Sequence, residues 1–68
     1  MFRRRVLVQP DESKQPLPGQ QSYTVCIYIA GTEYLYENLS YRAMCGLYNA
    51  HCGILQYIRD NTTGEYLR

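Results

Sequence analysis

Two hydrophobic spacings divide the chain, and they meet inside one stretch, residues 22–53. From Tyr23 to Ala30 the sequence is Tyr-Thr-Val-Cys-Ile-Tyr-Ile-Ala, rich in β-branched and aromatic residues and so suited to a strand. Gly31-Thr32 is a Gly-X pair, the signature of a two-residue type II′ hairpin loop. Glu33 to Leu39 then reads as the returning strand. A two-residue loop at that place fixes the register. Ala30 is expected opposite Glu33, Ile29 opposite Tyr34, Tyr28 opposite Leu35, Ile27 opposite Tyr36, and Cys26 opposite Glu37. Alternation puts Val25, Ile27, Ile29, Tyr34 and Tyr36 on one face, the better core face. Cys26, Tyr28, Leu35 and Glu37 fall on the other.

After Leu39 the period changes. Ser40 is a good N-cap residue, with Asn38 as its competitor. On a helical wheel Tyr41, Met44, Cys45, Leu47, Tyr48, His51 and Cys52 share one broad face. Arg42, Gly46, Asn49 and Ala50 take the other. The helix is expected to run from Tyr41 to about Cys52 and to stop at Gly53 in the left-handed conformation. Gly46 costs about 1 kcal/mol against Ala in a helix interior, and such a residue can mark the close approach of another backbone.

The remaining segments are shorter. Residues 3–8 fit a strand with Val6 and Val8 on one side and Leu7 on the other, ended by Gln9-Pro10. Residues 10–21 hold all three prolines among polar residues and read as a flexible Pro/Gln-rich loop. Ile54 to Arg59 resumes a strand. Asp60-Asn61-Thr62-Thr63-Gly64 is a turn in which Gly64 supplies a positive φ. Glu65 to Arg68 is expected to pair back as an edge strand. The predicted fold is α+β: a small antiparallel β-sheet in the order β-β-β-α-β-β, with one amphipathic helix packed on one face.

Composition sharpens this reading. Sixty-eight residues make a single domain with a small core, a size at which disulfides, metals or self-association commonly add stability. Eight tyrosines stand beside one Phe and no Trp. Tyr suits half-buried sheet faces and protein interfaces alike. The net charge of +1 gives no general attraction to nucleic acid or to membranes. No apolar run approaches the ~20 residues of a membrane span, and Val6-Leu7-Val8 is too short for a signal sequence. The odd number of cysteines argues against a disulfide framework, and a reducing cytoplasm is the expected location. Two Asn-x-Ser/Thr sequences, at Asn38 and Asn61, are then incidental.

Four kinds of chemistry come into question for these residues. Cys45 and Cys52 lie seven apart, roughly 10 Å along a helix, so they share neither a metal nor a disulfide. His51 and Cys52 point ~100° apart and make a poor nucleophile–base pair. No phosphate loop, carboxylate pair or catalytic motif is present, and neither an enzymatic activity nor a cofactor nor a small-molecule substrate is expected. Nucleic-acid binding is an alternative, through Arg3, Arg4 and Arg5 with Arg42 and Arg59 and with tyrosines to stack on bases. The leading expectation is protein interaction. One helix cannot cover both faces of the hairpin. Tyr28, Leu35, Cys26 and Glu37 therefore form the expected interface, in a homodimer or with another protein.

Overall fold

The computed structural model describes residues 4–68. It contains β1 (Arg4–Val8), β2 (Tyr23–Ile29), β3 (Thr32–Leu39), α1 (Tyr41–His51) and β4 (Leu55–Asp60), with a single 3-10 turn at Glu12–Lys14. The four strands form one sheet in the order β1-β3-β2-β4. The sheet is mixed, because β1 runs parallel to β3 while β2 is antiparallel to both β3 and β4. The antiparallel sheet expected from the sequence is thus corrected at β1. That strand does not pair with its sequence neighbour. Residues 9–22 carry the chain from the end of β1 across the end of β3 to the start of β2. The crossing is tied down where the Ser40 amide donates to the Lys14 carbonyl at 2.8 Å.

The hairpin forms where the sequence places it, but its loop is one residue earlier. Ala30 and Gly31 both have positive φ, 49° and 85°, and Ile29 pairs with Thr32. Positive φ at both central positions defines a type I′ turn, whose twist matches that of the flanking strands. Ala30 carries a cost of roughly 1 kcal/mol for the left-handed region, and Thr32 is released into the strand. The register changes accordingly. Cys26 faces Leu35 rather than Glu37, and Tyr28 faces Glu33 rather than Leu35. This slip preserves the alternation, so each side chain stays on its expected face.

A bulge near the end of β3 decides which residues reach the core. Tyr23 pairs with Leu39 and Val25 with Tyr36, so Glu37 and Asn38 together oppose Thr24. Asn38 has φ 55°, a left-handed value that Asn tolerates better than most residues. The extra residue brings Leu39 onto the same side as Tyr36. There it is 1% exposed, in a cluster with Tyr23, Val25, Ile27, Met44 and Ile58.

Helix α1 packs on that side. Ser40 caps it as expected, its Oγ accepting from the Ala43 amide at 3.2 Å. Met44 is buried, and Ala43, Cys45, Leu47 and Tyr48 pack against the cluster. Tyr41 and Cys52, assigned to the buried arc by the wheel, are exposed, while Ala43 is not. Gly53 does not adopt the expected left-handed conformation. The helix ends through Cys52 in the right-handed region, and the Ile54 amide donates to the His51 carbonyl at 3.0 Å.

The last segment is not a fifth strand. The 60–64 turn is as expected, with Asp60 Oδ1 accepting from the Thr62 amide at 2.9 Å and Gly64 at φ 81°. Beyond it only Tyr66 makes a ladder bridge, to Arg59. Leu67 donates to the Ile58 carbonyl at 2.8 Å, and Asp60 donates to the Glu65 carbonyl at 2.8 Å. The segment is short and largely exposed, so the tail borders β4 without extending the sheet.

Candidate functional site: the open face of the sheet

The face opposite α1 is built by the alternation of all four strands. Register aligns Leu7 with Leu35, Leu35 with Cys26, and Cys26 with Tyr57, a single row across the whole sheet. A second row aligns Arg5, Glu33 and Tyr28. Thr24 and Arg59 pair beside the Glu37–Asn38 bulge. Among the described residues no helix or strand forms a second layer on this face.

The centre of the face is nevertheless buried. Cys26 is 1% exposed, and Leu35 and Glu33 are each 9% exposed. Arg5 reaches over from β1, its Nε and Nη2 each donating to Glu33 Oε2 at 3.3 Å. The Cys26 thiol donates weakly to Glu33 Oε1 at 3.9 Å. Burial pushes the Cys26 thiol above its ordinary range, and the Glu33 carboxylate pushes it further while Arg5 opposes. The neutral thiol is the form this site holds. Burial likewise raises the Tyr57 hydroxyl, with Cys26 adding to the effect.

Around this centre stands an aromatic rim. Tyr28 and Tyr57 are half-buried, and Tyr57 meets Tyr66 edge-to-face at 5.4 Å between ring centres. Tyr66 is 64% exposed and Leu7 57%. The four expected interface residues therefore share a face but not a role. Tyr28 and Glu37 remain accessible. Cys26 and Leu35 are buried and form a floor beneath them. Leu7, Tyr57 and Tyr66 were missed as members of this face. A bulge between Leu55 and Tyr57 breaks the alternation of β4 and turns Tyr57 to this face, and Leu7 could be placed only by knowing which strand lies beside β1.

The arginines do not converge. Arg3 lies outside the described residues. Arg5 and Arg59 are on the open face, but on the two outermost strands. Arg4 alternates to the helix side of β1, and Arg42 is exposed on α1. Among the described residues no group of three or more His, Cys, Asp or Glu side chains is placed to hold a metal. Among the described residues outside its own helical turn, Gly46 has no atom within 4 Å of where a Cβ would lie, so it marks no close approach of another backbone there. It borders an apolar groove of about 480 Å³ between α1, Tyr36 and Val8. No helix among the described residues is long and apolar enough to cross a membrane. Comparison with protein-family models, curated proteins and solved structures gave no match.

Proposed function

We propose that this chain is a small interaction module that acts by binding rather than by catalysis and that self-associates through the open face of its sheet. The carrying observation is the aromatic rim of Tyr28, Tyr57 and Tyr66 with Leu7, on a face that no element among the described residues covers. A second copy laid face to face would bury the rim about a two-fold axis, with sheets roughly 10 Å apart. The reading keeps the protein in a reducing cytoplasm, where its three free thiols need no partner. Sedimentation equilibrium tests it. A dimer mass at high concentration is expected, reduced to the monomer by Tyr28→Ser with Tyr57→Ser. A monomer mass independent of concentration overturns it.

A second reading rests on the same tyrosines with Arg5 and Arg59 beside them, an arrangement that suits stacking of single-stranded nucleic acid. It requires a salt-dependent shift of labelled single-stranded RNA or DNA, weakened by changing Arg3, Arg4 and Arg5 together to Ala. No shift at low salt removes it.

A further inference from the structure

The two edges of the sheet are treated differently. Along the second half of β4 the outward groups are occupied: Ile58 and Asp60 exchange main-chain hydrogen bonds with residues 64–68. Among the described residues nothing occupies the outer edge of β1. In a parallel ladder the N–H and C=O of one residue point to the same neighbour. The Arg4 amide donates to the Gly31 carbonyl of the hairpin turn at 3.4 Å. Arg4, Val6 and Val8 therefore address β3, and the N–H and C=O of Arg5 and Leu7 address solvent.

The edge is also patterned. Arg4 and Arg5 put exposed cations on both faces of its first half. Val6, Leu7 and Val8 give the second half an apolar character, with Leu7 exposed and Val8 bordering the groove beside α1. Arg5 spends two of its donors on Glu33, yet its side chain stays 62% exposed. Edge charges commonly protect a sheet from pairing. Here they cover only half of the strand and leave the apolar half open. A second copy added antiparallel would set its Arg4 and Arg5 against Val8 and Leu7 and would offer the arginines no carboxylate, so the two halves do not match.

The geometry points to β1 as a docking edge for an extended, acidic segment of another protein, added as a fifth strand. Antiparallel addition gives the more stable ladder. In that direction the incoming segment offers apolar alternation first, against Val8, Leu7 and Val6, and carboxylates after it, against Arg5 and Arg4. Main-chain bonds to Arg5 and Leu7 supply affinity, and the charges select the partner. The edge shares Leu7 and Arg5 with the open face but engages their main chain rather than Tyr28 and Tyr57, so either proposal can fail alone.

Fluorescence anisotropy on the full chain tests it. The probe is a labelled peptide in which alternating valine and threonine precede a run of glutamates; the control carries lysines in their place. Saturable binding of the glutamate peptide alone, weakened by salt, is expected. Leu7→Pro removes an outward N–H without touching a bond to β3, a substitution that edge strands tolerate. It is expected to weaken binding about tenfold. Arg4→Glu leaves the Arg5–Glu33 pair in place and is expected to cost about fivefold. Circular dichroism and a thermal melt check that both variants fold. No saturable binding, or equal binding of both peptides, overturns the proposal. So does a concentration-dependent dimer that survives Tyr28→Ser with Tyr57→Ser and that Leu7→Pro abolishes, because the occupant of the edge is then a second copy.

Discussion

On the helix side of the sheet, Val25, Ile27 and Leu39 are sealed beneath Met44 and its neighbours on α1. On the open side Cys26 and Leu35 are buried almost as deeply, with no second layer above them among the described residues. The first burial is produced by packing one element on another. The second is produced within the sheet, by the larger side chains that flank Cys26 and Leu35 in the register: Tyr28, Tyr57 and the arm of Arg5. A sheet face can thus shade its own centre and leave only a rim for a partner. The rim is where self-association should be sensitive, and the centre is where stability should be.

This contrast can be broken in stages. The largest effect should come from Ile27→Ala, which empties a fully buried site on the helix side. A loss of about 2–5 kcal/mol is expected, enough to unfold a domain of this size, and urea denaturation measures it. Leu35→Ala comes next. If its burial is as structural as its exposure implies, it should cost about 2 kcal/mol although it lies on the uncovered face. A change in self-association with unaltered stability would return Leu35 to the interface.

Smaller still is the effect of Ala30→Asn. Asn enters the left-handed region more readily than Ala, and Asn-Gly is a preferred type I′ pair, so the variant should be more stable by about 0.5–1 kcal/mol. A turn at Gly31-Thr32 would give no such gain, and the thermal midpoint distinguishes the two. The subtlest test is alkaline. The Cys26 thiol is raised in the folded chain, so the unfolded chain loses its proton first. Stability should fall as pH rises from ~8.5, the unfolded thiol value, to the raised folded value. Cys26→Ala should remove that part of the slope. The raised hydroxyls of Tyr23 and Tyr57 should add a second decline above pH ~10. An unchanged slope in Cys26→Ala would show that the thiol is not shielded as the geometry indicates.

Local chemistry was legible in the sequence and long-range pairing was not. Ser40 capped its helix and Gly64 turned its chain because each answers to neighbours within four residues. The faces of the hairpin survived an error in its loop, since the true register differs by a step that keeps odd residues opposite even ones. Leu39 escaped because a bulge reverses the alternation, and Asn38 marks such a place only in retrospect. The position of β1 was illegible for a different reason. Its partner is set by how residues 9–22 cross the sheet, and that crossing carries no periodic pattern to read. The candidate face inherited both kinds of result: Tyr28 and Glu37 were placed by local alternation, whereas Leu7 had to wait for β1.

The parallel pairing of β1 also orders events in time. Arg4 meets Thr32 across 28 residues, and it can do so only after the Ala30–Gly31 hairpin has given β3 its shape. The hairpin closes a short loop and should form early. β1 must then close a long one for a single row of hydrogen bonds, with no helix above it. It is therefore expected to join last and to leave first. In native-state hydrogen exchange the Val6 and Val8 amides should open at a lower free energy than those of Val25 and Ile27. A strand that leaves easily is also one whose added partner strand, if it has one, would hold it in place.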